Sequence, residues 1–232
     1  NLETDITSDP SPIVADPALF RKALQSITYN SLEYNDGTAT EVREKGDEVT
    51  DYTETYRLKK SGGVYTDSDL EPKSLSVYFY SSASTDKLRA ERSRSEDLTA
   101  QTNTYKYDDL YDTASEIEGI LNTTMEALQS KTVNYIDAAN MIKGDEIADY
   151  TMNYRVKKDS SLPTGYDAST DESASVYFYA DYDTTTSTWT YDQRAENATS
   201  DSLTEQINTY KAYANLETDI TSDPSPIVAD PA

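Results

Sequence analysis

Cysteine and histidine are both missing from this 232-residue chain, and their absence removes several function classes at once. Without cysteine there is no disulfide, no zinc-thiolate site and no thiol nucleophile. Without histidine, the Ser-His-Asp and Cys-His triads, imidazole general bases and imidazole metal sites go as well. Glycine is scarce, and the one Gly-Gly pair, Gly62-Gly63, sits in a turn after Lys59-Lys60 rather than in a phosphate-cradling loop. No apolar run approaches the roughly eighteen residues of a membrane span, so none is expected. No signal peptide begins the sequence, and if the protein is exported its signal lies outside this sequence.

Positive charge is also short: 20 Lys and Arg face 43 Asp and Glu, a net charge of −23. Nucleic acid is therefore not an expected partner, because phosphate binding needs a basic stripe that releases counterions. The same excess favours solubility, counter-cations and high salt, where self-repulsion is screened within a few ångströms. Aromatic bulk comes from 20 Tyr against 3 Phe and 1 Trp, rings whose hydroxyls need a partner or water. This suits thin sheets with one wet face. So acidic a composition is common in disordered chains, but patterned strands that occur twice argue against disorder here.

What is present is repetition. Asn1–Ala18 recurs unchanged as Asn215–Ala232, 214 residues later. Inside that period lies a diverged duplication. Lys45–Lys60 and Lys143–Lys158 are identical at 11 of 16 positions, with Val49/Ile147 and Leu58/Val156 keeping an apolar side chain. ALQS at 23–26 and 127–130, SVYFY at 76–80 and 175–179, and LTAQTNTYK at 98–106 against LTEQINTYK at 203–211 follow in the same order. The expected organisation is a joint at 1–18, one module at 19–110, a second at 111–214, and 215–232 opening the next block. Each module is about 105 residues, within reach of a core of its own.

Within a module the periodicities predict mostly strands. Asp16-Pro17 is a helix start that leads to a short helix over 17–26, and Ile117, Ile120, Leu121, Met125 and Leu128 predict an amphipathic helix in the second module. Asp36-Gly37 between β-rich runs predicts a hairpin. Tyr150, Met152, Tyr154 and Val156 alternate with Thr151, Asn153, Arg155 and Lys157, and Tyr52, Glu54, Tyr56 and Leu58 repeat this with a glutamate at the weak point. Leu75, Val77 and Phe79 predict the next strand, mirrored by Ala174, Val176 and Phe178, with Tyr78 and Tyr177 on its exposed side. Lys87–Ser93 and Ser187–Tyr191 predict a further strand, and 203–213 reads equally as helix or strand. The fold class is therefore mainly β with short helices, as two tandem sandwich-like modules. Their length and turn density resemble immunoglobulin-like modules, without the Cys and Trp hallmarks.

Candidate sites are few. Asp67, Asp69 and Glu71, and Asp167, Asp171 and Glu172, fall on the same predicted loop of the two modules, with Asp181 and Asp183 nearby. Clustered carboxylate oxygens of this kind suit calcium, the one cofactor the sequence suggests, although neither loop matches an EF-hand. Asn122 and Asn197 head N-glycosylation sequons. The Pro-rich segment reads as a semi-rigid joint, with Ile13, Val14, Asp16 and Pro17 in one copy and Ile220 and Val228 in the other as candidate docking residues. Two acids suffice to cleave a glycoside, yet nothing singles out one pair among 43 acidic residues. The sequence therefore predicts a non-enzymatic structural repeat of an extracellular fibre, sheath or surface layer of a prokaryotic cell, partnered by copies of itself. The alternative is an adhesin-type module gripping a glycan or protein partner.

Overall fold

The computed structural model describes residues 24–62, 64–65, 71–81, 87–106, 114–162 and 165–222. The first repeat contributes β1 (Ser26–Ser31), β2 (Glu33–Asn35), β3 (Thr40–Val42), β4 (Val49–Arg57), β5 (Lys60–Ser61), β6 (Val64–Tyr65), β7 (Glu71–Ser81) and β8 (Leu98–Lys106). The second contributes α1 (Ala114–Glu118), β9 (Leu128–Tyr135), β10 (Ile147–Lys158), β11 (Tyr166–Asp183), β12 (Thr188–Gln193), β13 (Leu203–Lys211) and α2 (Leu216–Ser222). The protein is mainly β with short helices, as its period-two patterns predict.

Nine strands from both repeats join in one antiparallel sheet, in the order β1-β4-β7-β8-β9-β10-β11-β12, with β13 also on β11, while β2-β3 and β5-β6 are separate two-stranded hairpins. The junction is β8 against β9, where Gln101 opposes Val133, Asn103 opposes Lys131 and Tyr105 opposes Leu128. Two separate sandwich-like modules are therefore not what these strands form. The last strand of the first repeat lies beside the first strand of the second, and edge pairing satisfies their backbone groups where stacking face to face would leave them open.

The core follows the same rule. Leu75, Val77 and Phe79 of the first repeat and Tyr150, Met152, Ala174, Val176 and Phe178 of the second belong to one buried cluster. Ile117 and Ile120 after β8, and Leu216 and Ile220 after β13, pack into it from the connecting segments. A helix of seven residues has little stability in water, so α2 is held by burial of Leu216 and Ile220, about 1.5–3 kcal/mol for each side chain. Smaller clusters, such as Val49, Tyr80 and Ala90, or Ile147, Tyr179 and Ala195, hold the remainder.

Several local expectations change in the folded chain. The predicted helix over 117–128 ends at Glu118, because Ala127 takes a positive φ of 56° and Leu128 starts β9. The predicted helix over 17–26 yields at its end to β1, while its first residues lie outside those described. Lys87–Ser93 is a single bridge of Leu88 to Tyr80 followed by a 3₁₀ turn, Ala90–Arg92. Tyr78 and Tyr177 are half-buried rather than exposed, each packed on a neighbouring cluster. Residues 203–211 are a strand. The Asp36-Gly37 hairpin forms between β2 and β3; Gly37 supplies φ 92°, and the Asp36 carboxylate accepts the Thr38 and Ala39 amides at 2.7 and 2.9 Å.

Candidate functional site

Several of the candidate carboxylates face basic side chains across paired strands. Asp167, Asp171 and Glu172 lie within β11, not on a loop, because β10 runs on to Lys158 and pairs back through Tyr166. There Glu172 faces Arg155 at 3.5 Å, Asp167 faces Lys157 at 3.9 Å, and Glu71 at the start of β7 meets Lys59 at 2.8 Å. Asp181 accepts hydrogen bonds from Gln193 and Ser202, and Asp183 caps the turn at Thr185 and Thr186. Among the described residues no three acidic, histidine or cysteine side chains gather as a metal-binding group, and none of the described helices is long and apolar enough to cross a membrane. Asp67, Asp69, Ile13, Val14, Asp16, Pro17 and Val228 lie outside the described residues. Asn197 is exposed on a 3₁₀ turn, whereas Asn122 is half-buried and its carbonyl accepts from Gln101 at 2.9 Å.

The joint behaves differently from a semi-rigid linker. Ile220 is buried, and Leu216–Ser222 is a helix seated on the shared core. It is fixed by charge as well as by packing. The Glu217 carboxylate takes two hydrogen bonds from Lys131 Nζ, at 2.6 and 2.8 Å, and one from the Tyr150 hydroxyl at 2.8 Å. Burial pushes that carboxyl up, but the Lys131 ammonium and the Tyr150 hydroxyl pull it further down, to below its ordinary value.

A buried Arg-Asp pair, which periodicity alone does not reveal, recurs in the two repeats. Arg89 donates to both Asp51 oxygens at 2.8 and 2.7 Å and to the Ile117 and Ile120 carbonyls at 2.6 and 3.1 Å. Arg194 holds Asp149 through one oxygen, Oδ1, at 2.9 Å from Nε and 2.8 Å from Nη2, and donates to the Ile220 carbonyl at 3.3 Å. Both aspartates stand at β-bulges: the β1/β4 register skips Asp51 and the β9/β10 register skips Asp149. A bulge re-aims a side chain, here toward the arginine. The signal in the sequence is the tripeptide Arg-Ala-Glu at 89–91 and 194–196.

Among the described residues three strands of the sheet have a single partner: β1, the short β12, and β13; β1 and β13 close the two ends of the eight-strand run. There β1 pairs with β4, and β13 with β11. By the repeats, β1 is the counterpart of β9 and β13 of β8, the two strands that pair at the centre. Exposure shows what each edge lacks. Leu98 is 3% exposed in β8, and its counterpart Leu203 is 60% exposed in β13. Gln101, Asn103 and Tyr105 form a buried hydrogen-bonded ladder; Gln206, Asn208 and Tyr210 repeat the ladder in β13 without that burial. Edge strands are ordinarily protected by charge, proline or bulges. β1 has no charged residue, and β13 has Glu205, skipped at a bulge against β11, and Lys211.

A separate exposed feature is an aromatic strip. Trp189 lies 5.0 Å from Tyr182 and 6.0 Å from Tyr191, centroid to centroid, and all three rings are largely open to solvent. No known family model, curated protein or solved structure matches this chain.

Proposed function

We propose that the chain is a structural, non-enzymatic block of an extracellular fibre, sheath or surface layer of a prokaryotic cell, assembled from copies of itself. The observation that carries this reading is the central junction, where one repeat continues into the next through a shared sheet and core. A module that binds or catalyses alone has no need to merge with its neighbour, whereas a repeat array gains stability from each such interface. The unchanged recurrence of Asn1–Ala18 at 215–232 gives the same kind of continuation on the scale of the whole block. The acidic exterior keeps the blocks soluble until salt screens their repulsion.

Electron microscopy of the concentrated chain at rising salt tests the proposal. Eight strands (β1, β4, β7, β8, β9, β10, β11 and β13) set the span of a block across the sheet, so fibres or layers should repeat at about 38 Å, from ~4.8 Å per strand. A chain that stays monomeric at every salt and concentration overturns it.

The aromatic strip supports a second reading, an adhesin-type module that grips a glycan, since exposed ring faces suit the apolar faces of sugars. Trp189 is the only tryptophan, so its fluorescence reports directly on that strip. Glycan-array binding that disappears in Trp189→Ala supports this reading; an array without hits removes it.

A further inference from the structure

The edge geometry says how copies would join. Resting on the self-assembly reading above, we infer that β13 of one copy pairs antiparallel with β1 of a second copy, in the register that β8 and β9 hold inside the chain. Three observations lead there.

The first is phase. β13 sits on β11 with Ala174 opposite Tyr210 and Val176 opposite Asn208, and its register shifts between Phe178 and Tyr179. β8 sits on β7 with Leu75 opposite Tyr105 and Val77 opposite Asn103, and shifts at the matching place, between Phe79 and Tyr80. β1 on β4 and β9 on β10 agree in the same way, down to the skipped aspartate. The outward backbone groups of β13 and β1 therefore stand in the phase that already pairs at the centre of the sheet.

The second is side-chain chemistry. Carrying the β8/β9 register over sets Gln206 opposite Tyr29, Ile207 opposite Thr28, Asn208 opposite Ile27 and Tyr210 opposite Leu24 of the other copy. No charge meets a like charge in this set. Ile207, 54% exposed, and Tyr29, 38% exposed, gain cover from the neighbouring strand. In a chain of net charge −23, two strands whose paired positions are all uncharged are a local exception that permits pairing.

The third is the flanking sequence. A connecting segment with a short helix, α1, lies between β8 and β9, and α2 follows β13 in the same sense. Residues 215–232, which follow β13, are identical to residues 1–18, which precede β1. The same stretch of sequence is thus available on both sides of the proposed junction.

The cysteine-free background allows a direct test in the full chain. Mixing Asn208→Cys with Ile27→Cys under mild oxidation should give a disulfide-linked dimer, roughly tenfold above the off-register mixture of Asn208→Cys with Asn30→Cys, because Cα atoms beyond about 7 Å are not bridged. Dimers of Asn208→Cys alone that dominate the mixture would show two β13 edges meeting and overturn the inference. Fibres without the in-register crosslink overturn the edge pairing and leave the structural reading standing; neither fibres nor crosslink overturns both. Should the cysteine variants fail to fold, light scattering on Ile207→Lys/Thr28→Lys and Ile207→Lys/Thr28→Glu gives a second measure. The opposite-charge combination should associate roughly tenfold more strongly, and equal association overturns the pairing.

Discussion

Replacing Arg194 by methionine tests whether the two repeats form one cooperative body. The guanidinium is 6% exposed and holds Asp149, whose side chain is 21% exposed, while also donating to the Ile220 carbonyl of α2. Removing one partner of a buried pair strands the other charge and costs about 3–5 kcal/mol. That is a large share of the 5–15 kcal/mol typical of a domain, and at about 2 kcal/mol/M in urea it lowers the midpoint by roughly 2 M. Because the sheet and core run through both repeats, the whole transition should move, seen alike by circular dichroism and by Trp189 fluorescence. The double variant Arg194→Met/Asp149→Leu should recover most of the loss, since two packed apolar groups leave no uncompensated charge. A pH series adds a signature. Burial already pushes the Asp149 carboxyl above its ordinary value while Arg194 pulls it back, so without the arginine it rises further. The folded variant then takes up a proton more readily than the unfolded chain, and its deficit should shrink as pH falls from neutrality through that raised value. A biphasic curve with one transition at the parent midpoint would refute the reasoning, since it would mean the repeats unfold separately.

Other outcomes follow from the same structure. Because Glu217 is held below its ordinary value by Lys131 and Tyr150, its contribution is complete above the ordinary carboxylate range and is lost as pH falls through that range to the lower folded value; Glu217→Gln should remove this acid-sensitive part of the urea midpoint. Ile220→Ala should cost about 2–5 kcal/mol by leaving a cavity under α2, with proteolysis after Lys211 as a second readout. The Asp36 carboxyl, bonded to the Thr38 hydroxyl and to the Ala39 and Thr38 amides, should titrate at about 2 by NMR, and Thr38→Val should raise it. Assembly should strengthen as salt rises from low millimolar to molar, since a net charge of −23 repels copies at long range; weaker assembly at high salt would point to an ionic interface instead of paired edges.

The residue pattern shows strands more readily than their partners. Tyr150, Met152 and Tyr154 alternate plainly enough to place β10 and its buried face, and the Asp36-Gly37 turn fixes its hairpin, because both signals are local. The 117–128 stretch reads as a helix by the same local logic, and it fails there. Leu128 is drawn into pairing with Tyr105, a contact no helical period encodes. The carboxylates of 167–172 read as a loop site because their cross-strand partners, Lys157 and Arg155, are distant in sequence. The Arg194-Asp149 pair is similarly hidden, since it depends on a bulge that only strand pairing creates.

By itself, then, the sequence determined the strand content, the two scales of repetition, the acidic exterior and the chemistry ruled out by missing cysteine and histidine. These are properties of composition and local period. Only the tertiary structure decided that both repeats share one sheet and one core, that Leu216–Ser222 packs into that core, and that, among the described residues, β1 and β13 stand at the two ends of the eight-strand run. Those outcomes depend on which backbone groups find partners far along the chain, and the period-two pattern of a strand does not say which strand lies beside it.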